Sequence, residues 1–173
     1  GHAAFTDMRA RGANVTDIVV LIIAADDGVM PQTQEAISHA KSANVPIIIA
    51  INKCDKNEAN PKLIKEQLLS ENLIVEDLSG DIQCVEVSAE TGVNIDKLLD
   101  SILVQSELSE LKSNNDTFAE ATVIEANVDK GRGPICNLIV TNGKLSIGDI
   151  AVAGSEYGKV RAILDDKGQS LKE

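Results

Sequence analysis

Short runs of consecutive apolar residues recur along the first two-thirds of this chain, separated by stretches of helical period. The runs at 18–23, 45–51 and 82–87 are brief and rich in β-branched residues; the first two are apolar at successive positions, and Gln83 and Glu86 interrupt the third. That is how a strand covered on both faces reads, as in a parallel sheet. Between them, Pro31 opens a helical pattern that runs to about Ala43, with proline at a favourable first-turn position. Asn60 precedes Pro61 as the N-cap of a second helix. A third helix is predicted over 94–108, with Ile95, Leu98, Leu99, Ile102 and Leu103 on one stripe. A strand–helix series of this kind predicts a doubly wound α/β sheet.

The pattern changes near residue 112. Lys112, Ser113, Asn114, Asn115 and Asp116 are polar and unpatterned, which predicts a linker over 112–117. Beyond it there is no helical period. Strand-type runs at 120–128, 136–141, 149–153 and 159–164 are separated by glycine-bearing turns at Gly131, Gly133, Gly143, Gly154 and Gly158. A spacing of roughly 8–12 residues predicts an all-β module, and four strands with open edges predict a barrel cut short.

Composition narrows the function classes. The 173 residues are 43 % hydrophobic and 25 % charged, enough for a packed core. Aromatics are only 2 % with no Trp, so the core is aliphatic and stacking on an aromatic platform is excluded as a binding mode. A formal net charge of -11 does not point to a nucleic-acid groove; such contacts would need local basic patches, for which Lys130, Arg132, Lys159 and Arg161 are candidates, or would lie outside this segment. Cys54, Cys84 and Cys136 are odd in number and in no metal-ligand spacing, and read as reduced thiols. The longest apolar stretch, 18–25, is too short to span a bilayer, and the opening residues lack the pattern of a signal peptide; no membrane association is expected.

The sharpest chemical feature is Asn52-Lys53-Cys54-Asp55, directly after the apolar run that ends at Ile51. Ligands bind at the carboxyl ends of strands in such sheets. A carboxylate there accepts two parallel hydrogen bonds from guanine N1–H and the N2 amine, whereas adenine offers neither and would leave a polar group unpaired, at a cost of about 1–3 kcal/mol if buried. Asn52 is placed to tie the loop and face N7, and the Lys53 stem to lie along the base with its charge in solvent. The next run ends in Ser88-Ala89-Glu90, where Ala89 would give its N–H to guanine O6 and Ser88 would brace the turn. His39 reads as a surface or half-buried side chain, and Asp26-Asp27-Gly28 as a turn before the Pro31 helix.

These two loops resemble the guanine-specificity motifs of GTPases. The segment from Gly1-His2-Ala3-Ala4-Phe5 to Arg11-Gly12-Ala13, then Ala25-Asp26-Asp27-Gly28-Val29-Met30-Pro31-Gln32-Thr33, and in the second module Gly131-Arg132-Gly133-Pro134, Gly148-Asp149 and Tyr157-Gly158-Lys159-Val160-Arg161, narrow the resemblance to the bacterial-type initiation factor 2 family of translational GTPases. The resemblance implies a partial P-loop GTPase domain at 1–111, lacking its first strands and phosphate loop, and the start of β-barrel domain II at 118–173. It implies GTP/GDP as ligand with Mg2+, Gly1 donating its N–H to the γ-phosphate, and His2 orienting the attacking water. It further implies that the intact protein places formyl-methionyl initiator tRNA on the small ribosomal subunit and promotes joining of the large one.

The sequence departs from that family in holding no G-x-x-x-x-G-K-[ST] phosphate loop. The chain is therefore read as an internal fragment: its Mg2+ ligands are expected outside it, and the fragment is expected to bind nucleotide weakly, to be inactive alone and to be poorly soluble. Alternatives are a non-catalytic ribosome- or guanine-binding module, or an elongation or selenocysteine-specific factor. A bacterial cytoplasm is expected, with the mitochondrial matrix as alternative.

Overall fold

The computed structural model describes residues 6–173. Gly1 and His2, to which the family resemblance assigns γ-phosphate and water contacts, lie outside the described residues. The chain divides into two compact units, Gly1–Leu111 and Lys112–Glu173.

In the first unit, α1 (Thr6–Val15) leads into β1 (Val19–Ala24), α2 (Pro31–Ser42), β2 (Ile47–Asn52), α3 (Pro61–Ser70), a single 3-10 turn (Glu76–Leu78), β3 (Cys84–Glu86) and α4 (Ile95–Leu108). The strands form a parallel sheet in the order β1-β2-β3. Val19 to Ala24 register with Ile47 to Asn52, so β1 and β2 end level, and Ile49, Ala50 and Ile51 pair with Cys84, Val85 and Glu86. This is a parallel α/β sheet with helices between successive strands.

The core reflects the apolar runs unevenly. Ile48, Ile49, Ala50 and Ile51 are all at most 1 % exposed, so β2 is covered on both faces. β1 is not: Leu21 and Ile23 are buried, but Ile22 between them is 63 % exposed. The expectation of two covered faces holds for the central strand and fails for β1, an edge strand among the described residues. Ile37 of α2, Ile64 and Leu68 of α3, and Leu73 and Val75 beyond it pack on Leu21, Ile23, Ile49 and Ile51. Each such side chain stabilises the fold by about 1.5–3 kcal/mol through burial.

Local signals explain the helix boundaries. Asn60 caps α3, its Oδ1 accepting the Leu63 N–H at 3.1 Å, and Pro61 occupies the first turn. Pro31 opens α2 in the same way, without a side-chain cap. Helix α1 has no comparable signal; it buries Ala13 and no other residue, and spacing did not mark it out as a helix.

The second unit is all β. β4 (Glu120–Asp129) pairs antiparallel with β5 (Gly133–Asn142), β6 (Ile150–Ala153) with β7 (Glu156–Lys159), and β8 (Ile163–Leu164) with β9 (Ser170–Leu171). The strand expected over 159–164 forms earlier, at Glu156–Lys159, because β6 turns back on itself through Gly154 (φ 62) and Ser155. Gly158, expected in a turn, thus sits in β7 opposite Ala151. The three ladders are separate two-stranded sheets, and no described residue of this unit is buried.

Candidate functional site

Three loops meet at the carboxyl edge of the first sheet: 25–30 after β1, 53–60 after β2 and 87–94 after β3. Backbone hydrogen bonds bind them to one another. The Ala25 N–H donates to Asn52 O at 2.7 Å and the Asn60 N–H to Ala25 O at 3.0 Å, tying the first loop to the second. The Val87 N–H donates to Ile51 O at 2.8 Å and the Cys54 N–H to Val87 O at 3.2 Å, tying the second to the third. The Ala25, Val87 and Cys54 bonds continue the strand pairing past the sheet, and the Asn60 bond ties the start of α3 to the first loop, so the loops are held to the sheet.

Side chains complete the join. Asn52 Oδ1 accepts the Ala89 N–H at 2.9 Å, so Asn52 spans from β2 to the loop after β3. The loop-tying role read for Asn52 is thus realised, but the Ala89 N–H expected to face a base carbonyl is engaged within the protein, and a base O6 would have to share or replace that bond. Ser88, the one buried polar residue among the described residues, accepts the Thr91 N–H on its Oγ at 3.1 Å. The Ser88 hydroxyl beside the Asp55 carboxylate, with the Asp55 N–H, holds that carboxyl below the usual range. Ser88 therefore braces its own turn and orients Asp55. Asp55 is exposed, so the penalty for an unpaired carboxylate applies only once a base covers it. Asn94 fastens the far end of this loop, its Nδ2 donating to Glu86 O at 2.8 Å.

Lys53 departs most from the reading of its charge as solvated. Its Nζ lies 3.0 Å from Asp26 Oδ1 and 3.7 Å from Asp27 Oδ2, while Lys56 Nζ lies 2.6 Å from Asp26 Oδ2. The two lysines, Lys56 first, draw the Asp26 carboxyl down to about 2. Lys53 also has φ 66, a left-handed conformation that costs a non-glycine residue about 1–2 kcal/mol. Such strain clusters at functional loops. Sequence reasoning missed Asp26: as a residue of a β1–α2 turn it carried no signal beyond turn formation, and its lysine partners lie 27 and 30 positions away. Gly28 completes that turn at φ 78, and an added Cβ would meet Gln67 Oε1 at 2.8 Å, the atom that accepts the Val29 N–H.

A cleft of about 430 Å³ lies beside these loops, lined by Ala24, Asp27, Gly28, Thr33, Asn52 and Lys53 among others. Asn52 and Lys53 thus face a concave surface. Cys54 and Cys84 stand apart from the chemistry: burial pushes both thiols up, Cys84 to about 11, which disfavours the reactive thiolate. His39 is half-buried and its Nε2 lies 3.3 Å from Glu35, which also binds Arg9 at 2.9 Å. In the second unit, Lys130 and Arg132 sit in the β4–β5 turn, whose Gly131 and Arg132 N–H groups both donate to Asp129 Oδ1 at 2.8 Å. Among the described residues no group of three His, Cys, Asp or Glu side chains could hold a metal ion, and no helix is long and apolar enough to cross a membrane.

Comparison with known proteins assigns both units. Residues 1–107 match the family model of the elongation factor Tu GTP binding domain, and residues 118–173 that of elongation factor G domain 2. The chain is 61 % identical over 173 residues to a protein named translation initiation factor IF-2 from Granulibacter bethesdensis, covering 100 % of this chain and 19 % of that protein. It is 59 % identical to the protein of the same name from Novosphingobium aromaticivorans, over 99 % of this chain and 20 % of that protein. The chain thus spans about a fifth of the length of the curated relatives it matches. Among solved structures it is similar to the elongation factor SelB of Methanococcus maripaludis in complex with a GTP analogue, with TM-score 0.76 and 25 % identity over 99 % of this chain and 38 % of that one. It is also similar to GDP-bound aIF5B from Aeropyrum pernix, with TM-score 0.70 and 28 % identity over 87 % of this chain and 31 % of that one.

Proposed function

Because this chain belongs to the elongation factor Tu GTP-binding domain family, we propose that it is the guanine-reading portion of a translation initiation GTPase. The observation that carries the reading is the lacing of two loops at the carboxyl edge of β2 and β3 by the Asn52–Ala89 hydrogen bond, with the Ser88 hydroxyl beside Asp55. It presents one carboxylate, held ionised, at the point where such sheets receive ligands. Asp55 accepts the guanine N1–H and N2 amine, Asn52 meets N7, and the Lys53 stem lies along the base. Ser88 positions Asp55, and Ala89 gives its N–H to O6 in exchange for Asn52. The backbone bonds that tie these loops together stay in place, so little ordering entropy is lost on binding.

Identities of 59–61 % over essentially the whole chain support initiation rather than elongation, since the SelB likeness is at 25 %. In this reading the intact protein uses GTP and Mg2+, acts on the ribosome, places formyl-methionyl initiator tRNA on the small subunit and promotes joining of the large one. Gly1 contacts the γ-phosphate and His2 orients the attacking water. No Mg2+ ligand is assigned to the described residues. The sequence carries no phosphate loop, so hydrolysis by this chain alone is not expected. The proposed compartment is the bacterial cytoplasm.

Displacement of a fluorescent GDP by GDP, IDP and ADP tests the base assignment, on the chain extended to the full length of its relatives. IDP lacks the N2 amine and strands one lone pair of Asp55. It is expected to bind about 10- to 100-fold more weakly than GDP, and ADP more weakly still. Equal displacement by GDP and ADP would refute guanine reading.

A further inference from the structure

We propose that Asp26, in the turn between β1 and α2, is a positioning residue of the nucleotide pocket: it pins Lys53 and Lys56 together and thereby fixes the Lys53 stem where a purine stacks. The inference rests on the guanine reading of the β2 and β3 loops and adds a residue from a third loop to it.

The geometry is a fork. One Asp26 oxygen lies 3.0 Å from Lys53 Nζ and the other 2.6 Å from Lys56 Nζ, so a single carboxylate spans two lysines three positions apart on one loop. The Asp26 side chain is 16 % exposed, against 40 % and 42 % for the lysines, so the anion is the screened, fixed member. It is fixed because its turn is knitted to the lysine loop through the Ala25–Asn52 and Asn60–Ala25 backbone bonds. A lysine stem has no preferred direction of its own, and its path is set by where the ammonium is held. Lys53 must also keep a left-handed backbone, a conformation that persists only where the surroundings impose it. Removing the Asp26 charge would leave two ammonium groups repelling on one short loop. Asp27, 61 % exposed and 3.7 Å from Lys53, is too distant and too solvated to replace it.

Asp26 is directed at the lysines, so it acts on any purine that lies along Lys53 and has no part in choosing guanine. That separates it from Asp55. The test is the dissociation constant of fluorescent GDP, and its displacement by IDP, for the chain extended to the full length of its relatives. Asp26→Asn is expected to weaken GDP about 5- to 20-fold while the GDP-to-IDP ratio stays unchanged. Asp26→Glu keeps a carboxylate on a longer arm and should recover part of the loss. Lys53→Met keeps an apolar stem without the ammonium; in that background Asp26→Asn should change GDP affinity by less than about twofold, because the two residues act through one contact. Thermal melting of each variant monitors folding. The proposal is overturned if Asp26→Asn leaves GDP affinity within about twofold of wild type, or if it costs the same factor with and without Lys53→Met, which would mark a general loss of structure. A wild-type protein that fails to prefer GDP over IDP is a different result: it overturns the guanine reading of Asp55, whereas the role of Asp26 is overturned only by the two outcomes just given.

Discussion

Asp26 and Asp55 are held ionised by different means, lysine ammonium groups for the first and the Ser88 hydroxyl for the second. The sign of the resulting pH dependence follows. A carboxyl whose folded value lies below its ordinary 3.8 stabilises the fold fully above that value and loses the contribution as pH falls toward the folded one. Stability of the first unit is therefore expected to drop between about pH 4 and pH 2, and Asp26→Asn to flatten that drop. Acid unfolding followed by circular dichroism checks it; an unchanged profile in the variant would show that the lysine fork adds no stability. Asn52, Asp55, Ser88 and Ala89 were legible in the sequence because their chemistry is local: an amide, a carboxylate and a small-residue loop, each at or just beyond the end of a predicted strand. Asp26 was not, because its role depends on lysines brought to it only by the parallel pairing of β1 with β2.

Element boundaries were legible where a residue carries its own conformational instruction. Asn60 and Pro61 mark the start of α3, and the observed cap bond bears them out. Asn60→Ala is expected to cost about 1 kcal/mol, read as a lowered midpoint in urea unfolding. In β2, four successive residues are buried, and Ile49→Ala should cost about 2–5 kcal/mol by the same measurement. Gly80 is a position whose constraint no pattern revealed: an added Cβ would lie 1.9 Å from the Ile74 carbonyl oxygen, so Gly80→Ala should destabilise by about 2–3 kcal/mol. Elements defined by partners rather than by their own residues were misplaced. β7 was expected three residues late, because the register of the β6–β7 hairpin is set by its Gly154-Ser155 turn and not by the apolar residues beyond it. Helix α1 buries too little to show a period.

Across the whole molecule, buried residues are confined to the first unit, while the second is held by hairpin pairing of exposed strands. Hydrogen exchange is expected to follow that division: amides of β2 slowest, those of β6 to β9 exchanging far sooner. Equal protection of the two units would contradict it. The α/β-then-β organisation was readable from the switch of period alone, because a buried parallel strand and an exposed hairpin strand distribute apolar residues differently. The uncovered face at Ile22 was not, since a run of apolar residues cannot say which of its faces finds a neighbour. For the proposed activity, the most direct measurement is the nucleotide preference of the full-length protein with Asp55→Asn. An amide donates where the carboxylate accepted, and xanthine presents a carbonyl where guanine presents its amine. The variant should lose GTP affinity by at least about tenfold and gain xanthosine triphosphate by a similar factor. If Asp55→Asn leaves the choice between GTP and xanthosine triphosphate unchanged, the Asn52–Asp55 loop is structural and guanine is not read there.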